Sequence, residues 1–388
     1  MINSPIGIIA VLLSIETALF YLSEKKETKK FFKYLPSVFW IYFLPMLAST
    51  FRIIPQDHKI YSYISSNLLP ASLILLLISA NLKKIFRLGK IALIMMLTGS
   101  LGIMIGGPIV LLLFKKWLPE NIWMGFGALS GSWTGGSANM IAVKEGIGTP
   151  DNIFAPLVVV DAIIAYSWMG ILIAIAAYQK KYDDWNKSDK NLIAKLNGEM
   201  VTTSKKGYSS LSLKYTVIIT AIALTGTYLS IWLGQMLPEI KNAVSATTWA
   251  IIIASTIGII LSLTDVKKLE FRGAPQIGYF MLYLVLASIG ARASLNDITY
   301  TPILILAGLV WVLIHASFIF LASRIFKAPM SLMAAASQAN IGGTASAPVV
   351  AEIYQTGLAP VGLLLAIIGN IIGTYCGLIC AQLCRLVS

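Results

Sequence analysis

"SGSWTGGSANM", residues 130–140, lies between apolar stretches long enough to cross a membrane, yet it holds two adjacent glycines among hydroxyl and amide side chains. Unpaired peptide groups are costly in lipid, so non-helical backbone is kept at membrane depth only where protein buries it or water reaches it. A segment of this composition is therefore expected to line a cavity. A second segment repeats it. "ALSGSWTGGSANMIAVKE" (128–145) aligns without a gap on "AASQANIGGTASAPVVAE" (335–352), superposing Gly135 and Gly136 on Gly342 and Gly343, Ser130 on Ser337, Glu145 on Glu352 and Ser137 on Thr344. With a one-residue slip the match continues into "AIIAYSWMG" against "NIIGTYCG". An internal duplication is a common origin of transporter folds.

The surrounding composition fixes the class. The chain has 388 residues, 57% hydrophobic and 12% charged, with a mean hydropathy of +0.78. A soluble domain carries about twice that share of charge, and apolar runs of about 17–25 residues exclude the short alternating strands of a β-barrel. The fold is read as an all-α polytopic membrane protein. The net charge of +13 does not indicate nucleic acid, because the Lys and Arg residues sit in short connections between apolar runs, where they set topology. The first run, Ile6 to Leu22, has Lys residues after it rather than before it, the reverse of a secretory signal, and reads as a retained span.

Segments are expected near 5–22, 36–54, 66–82, 91–114, 122–146 and 153–178, then near 213–236, 244–263, 275–294, 301–323, 331–354 and 357–384. The chain thus divides into a first repeat (1–178), a cytoplasmic connecting loop (179–212) and a second repeat (213–388). If each Gly-Gly segment enters and returns to its own side, the connections at 23–35, 83–90, 179–214, 264–274 and 324–329 share one side and collect 22 of the 30 Lys and Arg residues. A full crossing would divide them and break the positive-inside bias. Two inverted repeats of five transmembrane helices follow, each with a Gly-Gly re-entrant or broken segment before its last helix. Both termini then face outside, in a plasma (bacterial inner) membrane.

The candidate site follows from the freed backbone and its neighbours. Ser130, Ser132, Thr134, Gly135, Gly136, Ser137 and Asn139 in one segment, with Gln338, Asn340, Gly342, Gly343, Thr344 and Ser346 in the other, offer many neutral oxygens. Such oxygens suit a hard monovalent cation such as Na⁺, while helix N-termini at the breaks offer N–H groups to an anion. The plainer alternative is that glycines and small residues merely allow close helix packing. Asp161, deep in an apolar segment, is a candidate Na⁺ ligand or proton carrier, and Asn370 is its near counterpart in the second half. A hydrogen-bond acceptor satisfied by neighbouring helices is the structural reading of Asp161. Glu145 and Glu352 end the two segments as caps or gates, whereas Glu16, Arg292 and His315 show no recognisable partner and read as structural.

Enzyme chemistry is not expected. "GALSG" places one residue too many before Ser130 for a G-x-S-G nucleophile motif, only His315 lies within a span to serve as base, and one deep Asp does not make an aspartyl dyad. Cys376, Cys380 and Cys384 share one helix face, which suggests packing rather than disulfides or a metal. No cofactor is expected beyond Na⁺, or H⁺, as coupling ion.

At the paired motifs "GSWTGGSANMIAVKE" and "SQANIGGTASAPVVAE", the sequence resembles the YjcL-like family of membrane proteins, a domain of unknown function, over essentially the whole chain. The Gly-Gly pairs also look like those of the sodium/glutamate symporter and 2-hydroxycarboxylate transporter classes. That likeness implies elevator-like movement of a substrate-carrying core against a dimerising scaffold, hence a homodimer, with a small solute and a monovalent cation as partners. Cation/proton antiporters are similar too, with an acidic pair in the helix after their broken helix. Here Asp161 follows Val160, a departure that weakens that likeness. The leading expectation is sodium-coupled symport of a small anionic solute, with a cation/proton antiporter using Asp161 as the alternative.

Overall fold

A computed structural model describes residues 1–25, 27, 28, 32, 37–78, 88–188, 212–240, 244–293 and 301–388. Among these residues the chain is all helical, with no β-sheet and only an isolated bridge between Ile240 and Val244. The first half holds α1 (Pro5–Glu24), α2 (Ser37–Thr50), α3 (Lys59–Ile78), α4 (Gly89–Phe114), α5 (Ile122–Gly135), α6 (Ser137–Ile147) and α7 (Asp151–Ile175). After α8 (Gln179–Asn186) come α9 (Leu213–Met236), α10 (Ala246–Ser262), α11 (Ala274–Arg292), α12 (Thr301–Phe326), α13 (Met330–Ile341), α14 (Gly343–Tyr354) and α15 (Ala359–Arg385).

Local chemistry starts these helices where the sequence places its signals. Ser4 accepts a hydrogen bond from the Gly7 amide ahead of Pro5, which suits α1's first turn. Ser245 and Thr248 form a reciprocal capping box on α10. Among the described residues, eight helices are long and apolar enough to cross a membrane, or nine if α10 and the bent 3-10 helix Asp265–Arg272 count as one span. The fourteen-residue α2 is shorter.

Three boundaries depart from the sequence reading. The third segment begins at Lys59 rather than near 66, because "KIYSYISSN" continues the helix, with Tyr61, Ile64 and Ser65 buried and Lys59, Ser62, Tyr63 and Ser66 exposed. The connection after 178 opens as α8, and the connection at 264–274 is a 3-10 helix, Asp265–Arg272. Both are polar on the whole and, at eight residues, too short to be recognised as spans. Of the central connection, residues 189–211 lie outside the described residues.

Two compact units emerge. One comprises residues 1–79, 144–162 and 209–304, the other 80–143, 163–208 and 305–388. Each draws on both halves of the sequence. In the first, α3 packs against α9, α10 and α11, and α11 also against α1 and α2, around Ile74, Leu75, Ile78, Ile219 and Ala254. In the second, α15 is the central element, packed against α4, α5, α13 and α14.

Candidate functional site

Both Gly-Gly segments are pairs of short helices folded back on themselves. In one straight helix residues 131 and 139 would lie about 12 Å apart, yet a Cβ on Gly131 would stand 3.0 Å from the Asn139 carbonyl oxygen and 3.1 Å from Val143 Cγ2. The reversal occurs at Gly136, with φ 81° and ψ −179°, a conformation essentially reserved for glycine. In the second pair Gln338 Nε2 donates to Ser346 Oγ at 2.8 Å across the break, and Gly343 takes the positive φ, 66°. The second glycine of each motif is therefore the turning residue. A Cβ on Gly343 would meet nothing within 4 Å, and one on Gly136 only Asn370 Oδ1 at 3.8 Å. Open space borders both turns.

The first glycine of the first motif does something else. Gly127, Gly131 and Gly135 on α5 face Gly369, Gly373 and Gly377 on α15, so that a Cβ on Gly373 would stand 2.9 Å from Gly135 Cα and one on Gly377 3.0 Å from Gly131 Cα. Backbone meets backbone along two G-x3-G-x3-G rows, the close-approach geometry of small-residue helix packing. Gly135 thus packs backbone to backbone, whereas Gly136 turns the chain. Cys380 and Cys384 likewise pack on α4, their sulfurs 2.6 and 3.2 Å from where a Cβ on Gly107 would be. Among the described residues no group of three His, Cys, Asp or Glu side chains is placed to hold a metal.

The polar residues of the motifs separate into three kinds. Some are fixed by protein partners. Asn139 donates to the carbonyls of Gly135 and Asn370 and accepts from Thr374 Oγ1 at 2.6 Å. Asn340 accepts from Ser100 Oγ at 2.8 Å and donates to the carbonyls of Met96 and Ala336. A second kind is buried with oxygens that make no hydrogen bond: Ser130 Oγ, Thr134 Oγ1 and Gln338 Oε1, on residues with no exposed surface. Serine and threonine hydroxyls elsewhere in the helices commonly bond back one turn, as Ser14, Thr17 and Ser230 do. Ser130 and Thr134, one turn apart on α5, do not. The third kind, Ser137, Thr344 and Asn370, is half-buried at or beside the turns. Ser132 and Ser346 are buried as well.

All of these lie in the unit that includes residues 305–388, whereas Asp161, half-buried on α7, belongs to the other. The two proposed Na⁺ ligands, Asp161 and Asn370, therefore fall in different compact units.

Three residues read from sequence as lacking partners require separate statements. Arg292 has partners: its Nη2 lies 2.9 Å from Glu145 Oε1 and its Nε 3.4 Å from Asp151 Oδ2. Lys144, only 4% exposed, lies 2.8 Å from each of the same two side chains, which closes a ring of two cations and two carboxylates. His315 is also engaged. Its Nδ1 lies 2.9 Å from the Gly99 carbonyl oxygen and its Nε2 2.9 Å from Ser337 Oγ, which in turn accepts from Trp168 Nε1. A carbonyl only accepts, so Nδ1 carries the proton and Ser337 donates to Nε2 in the neutral ring. Glu16 is buried with neither carboxylate oxygen hydrogen-bonded, as its isolation in sequence suggested. Glu352 accepts from the amides of Gly357 and Ala359 as a cap.

Sequence reasoning missed Lys144, Asp151, Ser337, Trp168 and the glycine rows. The rows alone carried a signal, the repeated four-residue spacing in "GALSGSWTG" and "GNIIGTYCG".

Comparison with known proteins places the chain by sequence. The family described as "Protein of unknown function (DUF819)" matches residues 10–387. The chain is 25% identical over 354 residues, 86% of either sequence, to "Uncharacterized membrane protein YjcL" of Bacillus subtilis (strain 168).

Proposed function

The chain belongs to the DUF819 family, and we propose that it works as a secondary active transporter. In this reading it is a sodium-coupled symporter of a small anionic organic solute, an amino acid or carboxylate, acting by elevator-like alternating access as a homodimer. The observation that carries the reading is the set of fully buried oxygens without hydrogen bonds on the two folded-back pairs, Ser130 Oγ, Thr134 Oγ1 and Gln338 Oε1. Buried polar atoms are almost always satisfied, and each exception needs an explanation. A cation accepts electron density from such oxygens without needing a proton, and the open space beside Gly136 and Gly343 gives a solute room.

Further support comes from the repeated architecture. The turning glycine recurs at the same place in both motifs, and each compact unit draws on both sequence halves. We read the motifs as re-entrant pairs entering from opposite membrane faces within two inverted repeats. The motifs belong to a moving core that works against a scaffold, and Asp161 and Asn370 are the candidate Na⁺ ligands. The central connection is cytoplasmic and both termini are outside. No catalytic step is part of the proposal.

The second reading, a monovalent cation/proton antiporter, rests on Asp161 in the midst of apolar α7. Purified protein and reconstituted vesicles separate the two. Under symport, Na⁺ raises the melting temperature and one class of carboxylate solute raises it further only with Na⁺ present; ligand at 100 times its Kd adds about 2.7 kcal/mol. Vesicles then accumulate that solute on an inward Na⁺ gradient, and Asp161→Asn shifts the Na⁺ requirement upward. Movement of Na⁺ against protons without any organic solute, abolished by Asp161→Asn, would replace symport by antiport.

A further inference from the structure

The buried face of α1 is a single helical stripe, Ile8, Leu12, Glu16 and Leu19. Three of the four side chains are aliphatic. The fourth is a carboxyl group near the middle of a twenty-residue apolar helix, only 2% exposed, and neither of its oxygens makes a hydrogen bond. The proposed cation site makes no use of it.

The elements around Glu16 bring it no counter-charge. Helix α1 packs against α2 and α11, and all three belong to the first compact unit. Tyr42 is the only titratable side chain of α2, and α11 adds Tyr279, Tyr283 and Arg292. Tyr283 is the electrostatic neighbour of Glu16, and its ring centre lies 5.7 Å from that of Phe20, one turn further along α1. Tyr279 follows, 5.8 Å from Tyr283. These phenols are neutral, and the Arg292 guanidinium is engaged by Glu145 and Asp151. On α1 itself the other titratable groups are Tyr21 and Glu24, and Lys25, the first cation beyond the helix, lies over the Tyr21 ring at 4.5 Å. Among the described residues Glu16 has no ion pair.

An isolated ionised carboxylate in an apolar interior is so costly that the group takes up a proton instead. Acidic residues inside spans ordinarily pair with a partner or face water, and Glu16 does neither. As the uncharged acid it leaves only its hydrogen bonds unmade, and its stem fills a place in the stripe that an aliphatic side chain would otherwise take.

We propose that Glu16 is a proton-binding site, a carboxylic acid held neutral where α1 rests on α2 and α11. Release of the proton would require water or a cation to enter that layer, so the seating of α1 is linked to one bound proton. The site is separate from Asp161, and the inference stands whichever ion drives transport.

Infrared difference spectroscopy of the purified full-length protein at neutral pH tests it, wild type against Glu16→Gln, whose amide matches the acid in shape and neutrality. The wild type is expected to show one carboxylic-acid carbonyl stretch, above the amide band, that the variant lacks. Loss of carboxylate stretches instead would overturn the proposal. A second measurement needs no variant. Dicyclohexylcarbodiimide, a lipid-soluble reagent, adds to a protonated carboxyl: the acid proton moves to one carbodiimide nitrogen, the oxygen bonds to the central carbon, and the acyl group then shifts to nitrogen as a stable N-acylurea, with no leaving group. Peptide mass spectrometry should find this adduct on Glu16, while a water-soluble carbodiimide should modify the exposed Asp265 and spare Glu16. Glu16 modified by the water-soluble reagent as readily as Asp265, or by neither reagent, would overturn the proposal.

Discussion

The two folded-back pairs share a turn and differ in how their arms are held. In the first pair α5 is laid against α15 by glycine rows in which backbone touches backbone, and α6 is pinned by Asn139 and by the ring at its far end. In the second pair α13 is held by polar side chains: Asn340 into α4, Ser337 to His315 of α12 and to Trp168 of α7, and Asp183 of α8 on the Met330 amide. Its second arm, α14, packs on α13 and α15, and Tyr354 donates to the Leu172 carbonyl. The turn at the second glycine is common to both copies, while the first arm, α5 or α13, is held by shape in one pair and by hydrogen bonds in the other.

That difference predicts which substitutions each pair tolerates. Gly369→Val is expected to have the largest effect, because a side chain there meets the Thr134 carbonyl oxygen with no rotamer to relieve it. A loss of about 3 kcal/mol or more is anticipated, seen as disappearance of the monodisperse peak in detergent. The same change at Gly170, where a Cβ meets nothing within 4 Å, should leave the peak in place. If both variants behave alike, the glycine rows are not what holds α5.

An intermediate effect is expected from Asn340→Ala. The amide is fully buried with three protein partners, and its loss removes those hydrogen bonds and leaves a void. A destabilisation of about 1–3 kcal/mol follows from unsatisfied groups of this kind, read as a lowered melting temperature. Asn340→Asp, which keeps the acceptor for Ser100 but loses the donor to both carbonyls, should recover little of it.

The smallest effect sharpens the comparison at the turns themselves. Gly136 has an extended ψ at positive φ, where even asparagine is rare, whereas the Gly343 φ of 66° lies where asparagine is accepted. Gly343→Asn should therefore cost under about 1 kcal/mol and Gly136→Asn about 1–3 kcal/mol, measured by thermal melts of the two proteins side by side. Equal losses would mean that the two turns are not distinguished by backbone conformation.

How much of this was legible in the sequence depends on distance along the chain. The Gly-Gly duplication, the helical class and most boundaries are local patterns, and the turning glycines fell where the motif suggested. Arg292 and Glu145 are 147 residues apart, and His315 meets Gly99 across 216. Periodicity says which face of a helix is apolar but not which distant polar group a charge will meet. Arg292 and His315 therefore read as solitary, although each meets a partner. The glycine rows were visible as spacing in both α5 and α15, but nothing in either row identifies the other as its mate. For Gly135 the motif reading and the packing reading were both available, and only the contact with α15 separates them.

The pairing of α5 with α15 also sets an order of events during synthesis. The surface that α5 presents through Gly127, Gly131 and Gly135 is covered by residues made about 240 positions later, a wait on the order of ten to fifty seconds at ribosomal speed. Until Gly369–Gly377 leave the insertion machinery, the first broken helix pair has no permanent neighbour on that face. Maturation of the first half is thus contingent on the last helix, and a ribosome stalled before α15 would leave an incomplete molecule whose glycine face is open to lipid or to the quality-control proteases of the membrane.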